Sequence, residues 1–392
     1  MGERSAALAA ALAQLADDVD RRVEATHLAI ADRTFRNLGP LGLPVRPLHD
    51  GLARLVHTCV RTGLAGGGRG VVGLLRHVDA ADRALEGPSG ITVVGAVAGA
   101  RGPTLRETVA GPDWPTQLRR MDGRVLATLD AQGQVVVLDP PAAGPRVVLL
   151  HGLCETELSW WQLVPAGART IPDALADVGA EVLLVRTDTG RRVAESGTDV
   201  ARLLEALSDD GGPLVLVGHS MGGLVARAAL RAGARAGHGW VGATQHLVTL
   251  GAPHAGAPLE QAVELLVRMG ERVPEVAALV GFLGLRSDGI RDLRHGADDD
   301  VLAAGERAAP APVPGHVVLH TVAATLAGRV RPQLFGDGLV RPASAHGTSR
   351  RGALDARRGT VLDLPDSSHF DLLAAPEVLA LVTGLLGARA SA

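Results

Sequence analysis

Six short apolar runs, most of them separated by helical stretches, constrain the fold more than any other feature of this sequence. They are rich in Val and Leu and cover residues 146–150, 181–186, 214–219, 246–250, 316–322 and 360–364. Strands that alternate with helices usually pair in parallel, because the crossover helices cover both faces of the sheet. The pattern therefore predicts an α/β fold with a mostly parallel sheet and helices on both faces.

Three other segments surround or interrupt this pattern. Residues 124–129 and 134–138 flank a turn at Gly133 and predict a β-hairpin. Residues 1–110 are predicted to form an N-terminal helical segment, because apolar side chains recur at helical spacing at Leu8 and Leu12 and again at Leu52 and Leu55. Docking on the main domain is the default for these helices. Residues 255–314 exceed the length of a simple crossover and predict a helical, lid-like insertion, with completion of the core as the alternative.

The segment Gly218-His219-Ser220-Met221-Gly222-Gly223 directly follows one apolar run and precedes a helical pattern. A serine on a sharp strand-to-helix turn requires small residues two positions before and after it, because side chains there would collide with neighbouring backbone. Such a turn places the hydroxyl at a helix N-terminus, where the dipole stabilises developing negative charge. Ser220 is therefore the predicted nucleophile, and the alternative is a glycine-rich turn that only links strand to helix. His219 is predicted to be structural.

This turn resembles the nucleophile elbow of the α/β-hydrolase superfamily, and the resemblance extends over residues 120–392. Within it, GHSMGGLVAR, TLGAPHAG and GDGLV are similar to segments of bacterial lipases and of GPI inositol-deacylase-like esterases. The resemblance implies an α/β-hydrolase catalytic domain over residues 120–392 and a chain order of Ser, acid and His. Residues 1–110 lie outside the common fold.

A serine hydroxyl is a weak nucleophile at neutral pH, so it requires a base and a carboxylate that orients the base. By the chain order of the superfamily, the acid follows the strand after the insertion, where Asp337 stands, and the base follows the last strand, where His369 stands. The competing acids are Asp363 and Asp366, and the fallback base is His346.

The tetrahedral intermediate of acyl transfer requires N–H donors for its oxyanion. The resemblance places these donors at Met221, after the nucleophile, and at Leu153, in the loop after the run at 146–150. Gly152 allows close backbone approach there, and Gly152, Cys154 and His254 are the expected substrate-binding residues. A buried thiol is the alternative for Cys154, and a structural turn is the alternative for His254.

Charge and cysteine content exclude several classes of function. The chain has 39 basic and 42 acidic side chains, and this net charge of −3, without a basic tail or charge block, removes the simplest electrostatic case for binding to nucleic acids or anionic membranes. Its two cysteines lie far apart, and the acidic run at 298–300 lacks the alternating ligands of a calcium loop. We expect no metal, no organic cofactor and no nucleic-acid partner.

The absence of a recognisable signal peptide or of an apolar run of about 20 residues predicts a cytoplasmic protein. Peripheral contact with a lipid surface and the oligomeric state stay open.

Together these features predict a serine carboxylic-ester hydrolase, an esterase or lipase, that works through an acyl-enzyme on a small ester or lipid substrate. An acyltransferase with the same triad and a non-catalytic binding module of the same fold are the alternatives. The apolar patterns of the insertion favour a substrate with an apolar acyl group.

Overall fold

The structure is a computed structural model of the 392-residue chain. It describes residues 87–101, 114–142, 144–208, 212–257, 288, 292–293, 312–326, 336–349 and 352–387, together with residues 49–58 and isolated positions between 21 and 62. The predicted helix around Leu8 and Leu12, the acidic run at 298–300 and most of the predicted insertion at 255–314 lie outside these residues.

In the described part of the chain, nine strands form one sheet. They are β1 (Gln117–Arg120), β2 (Val125–Leu129), β3 (Val135–Val137), β4 (Arg146–Leu150), β5 (Glu181–Arg186), β6 (Leu214–His219), β7 (Thr244–Leu250), β8 (Val318–Thr325) and β11 (Arg357–Pro365). Their order is β11-β8-β7-β6-β4-β5-β1-β2-β3. Strands β4 to β8 and β11 pair in parallel, and β1 to β3 add an antiparallel extension. A separate small ladder joins β9 (Thr348–Ser349) to β10 (Gly352–Ala353).

This sheet confirms the predicted fold class. Every residue of the central strands β4 and β6 is buried, as expected for strands that are covered on both faces. The predicted hairpin is present as β2 and β3. Strand β1 was not predicted, because Leu118 is its only apolar residue and the other three are polar. Strand β11 is mostly exposed and extends further at both ends than its apolar run, since it lies at the edge of the sheet.

The helices connect and cover the strands. They are α1 (Pro88–Arg101), α2 (Ser159–Gln162), α3 (Ile171–Asp177), α4 (Val193–Ala206), α5 (Met221–Ala236), α6 (Gly239–Ala243), α7 (Pro342–Ala345) and α8 (Pro376–Gly387), with a 3₁₀ turn at Asp371–Leu373. Helices α4 and α5 pack against each other. Helix α5 begins directly after β6 and ends at Gly237, which caps it in the left-handed conformation. No helix among the described residues combines the length and the apolar character that a bilayer crossing requires.

Two parts of the predicted N-terminal helical segment can be compared with the structure. Helix α1 packs on the main domain, where the Thr92 hydroxyl donates a hydrogen bond to Gln162 Oε1 (2.9 Å). Residues 49–58 are helical, as the spacing of Leu52 and Leu55 predicts. Both leucines are more than half exposed, however, and the buried side of this helix carries Ala53 and His57. The apolar spacing thus indicates the helix correctly and its buried face wrongly.

Candidate active site

Ser220 stands at the carboxyl end of β6, where the chain turns sharply into α5. Its backbone has φ 52° and ψ −124°, and its N–H donates a hydrogen bond to the Leu250 carbonyl at the end of β7 (2.8 Å). A Cβ atom on Gly222 would lie 2.2 Å from the Leu150 carbonyl oxygen, and one on Gly218 would lie 2.5 Å from the backbone of Gly223. The prediction that glycines are sterically required on both sides of the serine is therefore confirmed.

His369 and Asp337 form a buried pair close to this turn. His369 Nδ1 lies 2.6 Å from Asp337 Oδ2, and both side chains are at most 1% exposed. Asp337 Oδ1 accepts hydrogen bonds from the Leu339 and Val340 N–H groups, each at 2.8 Å. Three donors thus hold the carboxylate, and a proton on Nδ1 leaves the Nε2 lone pair of His369 available to accept a proton.

The imidazole of His369 is held against the ends of β6 and β7. Its ring centroid lies 4.7 Å from that of His219, the residue before Ser220. Gly251, the residue after β7, has φ 59°, and a Cβ atom there would lie 2.9 Å from His369 Cε1. Within the described chain, His369 Nε2 is buried and has no hydrogen-bond partner.

The competing acids and the fallback base lie elsewhere. His346 Nε2 lies 3.0 Å from Asp363 Oδ1, and His346 Nδ1 lies 2.8 Å from the Thr321 hydroxyl, so these side chains form a group of their own between β8 and β11. Asp366 is exposed and has φ 56°. None of the hydrogen bonds in the described chain joins these three residues to Ser220, His369 or Asp337.

The loop after β4 carries the predicted oxyanion donor Leu153. The Gly152 N–H donates to Glu155 Oε2 (2.8 Å), and the Cys154 N–H donates to the Thr189 hydroxyl (2.9 Å). No hydrogen bond between described residues uses the N–H of Leu153 or that of Met221. A Cβ atom on Gly152 would lie 3.1 Å from Ser220 Cβ, so this loop lies directly against the candidate nucleophile.

Two of the three expected substrate-binding residues have protein partners instead. His254 is fully buried, and its ring nitrogens contact Arg227 Nη1 (3.0 Å) and the Thr249 hydroxyl (3.2 Å). No polar atom of its ring is left for a substrate, which corrects the expectation that His254 lines the entrance. Cys154 is also fully buried, and burial, together with the charges of Glu155 and Asp188, raises the pKa of its thiol far above the usual range. It is therefore an inert thiol. Gly152 does lie at the site.

Helix α1 covers the outer side of the same loop. A Cβ atom on Gly99 would lie 2.5 Å from the Thr189 hydroxyl oxygen and 2.8 Å from Cys154 Cα. A Cβ atom on Gly95 would lie 2.4 Å from Thr156 Cγ2. The chain before the sheet thus supports the candidate oxyanion loop, and the only signal in the sequence is the spacing of these two glycines.

The sequence prediction also omits Glu155, a carboxylate buried beside Gly152 and His219. Burial alone would raise its pKa, but the charge and hydrogen bond of His219, together with the Gly152 N–H, hold the pKa below its ordinary value. The neighbouring Glu157 points elsewhere and forms a buried ion pair with Arg186. Within the described residues, no three His, Cys, Asp or Glu side chains are grouped as a metal site requires.

Comparisons with known proteins place this site in context. Residues 200–277, which include Ser220 and α5, match the family model of the PGAP1-like alpha/beta domain. No curated protein sequence matches the chain.

Solved structures similar to this chain include a lipase from Bacillus licheniformis (20% identity, 64% of this chain and 95% of that one, TM-score 0.43). A thioesterase of the prodiginine pathway from Streptomyces coelicolor is also similar (19% identity, 64% of this chain and 89% of that one, TM-score 0.41). So is a metagenomic carboxyl esterase (17% identity, 78% of this chain and 96% of that one, TM-score 0.39). A mostly parallel sheet with a serine on the sharp turn between a central strand and the following helix is the arrangement of the α/β-hydrolase fold. Residues 200–277 are similar to the PGAP1-like alpha/beta domain.

Proposed function

We propose that this protein is a serine hydrolase that cleaves carboxylic esters through an acyl-enzyme. The observation that carries the proposal is the buried His369–Asp337 pair, 2.6 Å apart, packed against the turn that presents Ser220. A serine hydroxyl that an imidazole activates, with a carboxylate to orient the imidazole, is sufficient machinery for nucleophilic acyl transfer.

In the first half of the reaction, Ser220 Oγ attacks the ester carbonyl carbon and His369 Nε2 takes the hydroxyl proton. The Asp337 carboxylate, which accepts from Nδ1, stabilises the imidazolium that forms. The N–H groups of Leu153 and Met221 would donate to the oxyanion, since neither is used by another described residue. When the tetrahedral intermediate collapses, His369 returns the proton to the departing alcohol.

In the second half, water replaces the alcohol. His369 Nε2 accepts a proton from the water as its oxygen attacks the acyl carbon, and the same two N–H groups hold the second oxyanion. Collapse releases the carboxylic acid and returns the proton to Ser220 Oγ. Every proton movement thus uses His369, and no step requires a metal or an organic cofactor.

The substrate that we propose is an ester with an apolar acyl chain. The support is the sequence of the insertion at 255–314, which has apolar helical patterns next to the segment that leads into β8. Each buried methylene of a substrate adds roughly 0.8 kcal/mol of binding free energy, so a lipid-binding site discriminates strongly by chain length.

The test compares the wild type with Ser220→Ala on p-nitrophenyl esters from acetate to palmitate. We expect Ser220→Ala to lower kcat by at least about 1,000-fold, because no other residue replaces the nucleophile. The matched control is Ser196→Ala, which removes another fully buried serine hydroxyl, on α4. We expect this control to keep wild-type kcat.

Two outcomes would contradict the proposal. Unchanged hydrolysis by Ser220→Ala would exclude the nucleophile. A wild-type protein that neither hydrolyses any ester nor forms a covalent adduct with a fluorophosphonate would be a binding module. A rate that peaks at acetate would contradict only the apolar acyl chain, and ester products formed in the presence of added alcohols would indicate acyl transfer.

A further inference from the structure

Two buried ionisable side chains next to the candidate site take no part in the mechanism described above. Glu155 lies in the loop after β4, His219 is the last residue of β6, and both side chains are at most 1% exposed. A buried charge is costly unless it is paired and hydrogen-bonded. The contacts of these two residues therefore deserve a functional explanation.

The first contact of Glu155 is with the candidate oxyanion loop. Its Oε2 accepts from the Gly152 N–H (2.8 Å), and its own N–H donates back to the Gly152 carbonyl (3.3 Å). This reciprocal pair closes a four-residue turn that contains Leu153. The direction of the Leu153 N–H is fixed by that turn, so the carboxylate acts on the oxyanion donor without touching it.

The second contact is with His219, and through it with the candidate base. Glu155 Oε1 and Oε2 lie 3.3 and 3.4 Å from His219 Nδ1. On the other side of the ring, His219 Nε2 lies 3.4 Å from the main-chain carbonyl oxygen of His369, and the two imidazoles lie 4.7 Å apart. His219 therefore lies between the carboxylate and the base.

The hydrogen-bond roles of this chain of contacts follow from chemistry. A carbonyl oxygen only accepts, so His219 Nε2 must be the donor toward His369. An ionised carboxylate also only accepts, so His219 Nδ1 is the donor toward Glu155. Both ring nitrogens of His219 thus face acceptors, the Glu155 carboxylate on one side and the His369 carbonyl on the other.

We propose that Glu155 is a positioning residue that holds the oxyanion loop through Gly152 and the base through His219. The inference rests on the proposed function. One side chain thereby couples the donor that stabilises the oxyanion to the imidazole that moves the proton, two groups that reach the site from different strands. Loss of its contacts should slow the chemical step and leave substrate binding nearly unchanged.

The test compares Glu155→Gln with Glu155→Leu. Gln keeps an acceptor for the Gly152 N–H and presents an amide donor to His219, which can then accept at Nδ1 and still donate at Nε2. Leu has a similar volume but neither function. We expect Glu155→Leu to lower kcat about 100-fold, the lower end of the loss when an oxyanion donor is removed, with KM within about threefold. We expect Glu155→Gln to keep kcat within about tenfold of the wild type.

The matched control is Glu157→Gln, which makes the same substitution two residues away. Glu157 is equally buried but pairs with Arg186. Thermal unfolding of each variant supplies the folded fraction, so kcat is compared per folded molecule. If Glu155→Leu does not fold, His219→Asn carries the test. Asn retains a donor toward Glu155 but does not reach His369, and we expect a loss in kcat of roughly tenfold or more.

The rate at which a fluorophosphonate labels Ser220 separates the two proposals. If the wild type is not labelled, the proposed function fails. If the wild type is labelled and Glu155→Leu is labelled at the same rate, the positioning role is overturned and the proposed function stands. Equal losses of kcat in Glu155→Leu, Glu155→Gln and Glu157→Gln would also overturn it, because a general effect on the fold does not distinguish these variants.

Discussion

Ser220 has a backbone conformation that L-amino acids rarely adopt, and the residues around it leave no space to relax it. Its φ of 52° is fixed on one side by the hydrogen bond to Leu250 and on the other by the contact of Gly222 with the end of β4. Such conformations cost about 1–3 kcal/mol each and persist only where their surroundings impose them. The strain keeps the hydroxyl at the carboxyl edge of the sheet.

Gly222→Ala tests this contact. The new methyl group would lie 2.2 Å from the Leu150 carbonyl oxygen, a backbone atom that cannot move without displacing β4 and the loop after it. We expect the free energy of unfolding to fall by about 2 kcal/mol and kcat to fall with it. Gly242→Ala is the control, because that glycine has nothing within 4 Å of an added Cβ. Urea unfolding measures the stability of each variant, and ester hydrolysis measures its kcat. Equal stability losses at Gly222 and Gly242 would refute the idea that the contact with Leu150 makes Gly222 necessary.

Individual residues differ in how far the sequence reveals them. Ser220, Asp337 and His369 are predicted because each follows a recognisable strand or stands in a known chain order. Glu155 gives no such signal, since an acidic residue in a loop is usually solvated. Its burial depends on His219, 64 positions further along the chain, and that contact exists only after β4 and β6 have paired.

At the scale of elements, helix α1 packs directly against the candidate oxyanion loop. Its small residues Gly95 and Gly99 allow its backbone to approach Cys154 and Thr156. Thr189 connects both sides of this interface, because its hydroxyl accepts from the Cys154 N–H and lies where a side chain on Gly99 would be. The loop is thus held between the helix and the residues that follow β5.

Gly99→Val is the substitution that this interface should tolerate least. Its Cβ would overlap the Thr189 hydroxyl and Cys154 Cα, so α1 must move away from the loop or the loop must shift. We expect a loss of about 1–3 kcal/mol in unfolding free energy and a lower kcat at unchanged KM. Gly384→Val, in α8, controls for the intrinsic helix propensity of valine, because nothing lies within 4 Å of its added Cβ. If both variants lose the same free energy and activity, α1 does not support the loop.

Elements with a strong apolar signal are the ones that the sequence predicts well. Strands β4, β5 and β6 have the predicted bounds, because continuous apolar runs are required where both faces are buried. The packing of α1 has no comparable signal. Its residues are apolar on nearly all sides, so periodicity does not indicate which face meets the domain, and the contact with residues 154–156 joins distant parts of the chain.

On the scale of the whole molecule, Asp292, which stands between β7 and β8 in the chain, contacts the start of α4. Its carboxylate accepts from the Val193 N–H at the start of α4 (2.9 Å). Burial raises the pKa of Asp292 to about 6. The Val193 N–H and Arg192 oppose this rise, and Asp288 and Glu195 add to it.

This elevated pKa predicts a pH-dependent stability. The folded state favours the protonated acid, so the contribution is fully present below the pKa of the unfolded chain, about 3.9, and is lost as the pH rises through about 6. Asp292→Asn removes the ionisation and keeps an acceptor for Val193. We expect its unfolding free energy to exceed that of the wild type by up to about 3 kcal/mol at pH 8, and by little near pH 4. Urea titrations at both pH values, with the exposed Asp177→Asn as control, test this, and a pH-independent difference would argue against it.

The wide separation of the site residues along the chain also has a kinetic consequence. Glu155 and His219 are 64 positions apart, and His219 and His369 are 150 apart, although the three side chains lie in one group of contacts. Contacts between distant residues form slowly, because long loops must close before the contacts contribute any free energy. A refolding chain can therefore regain its helices and central strands before Glu155, His219 and His369 come into contact. Activity then returns only after β4, β6 and the edge strand β11, which lead into these residues, have all been assembled.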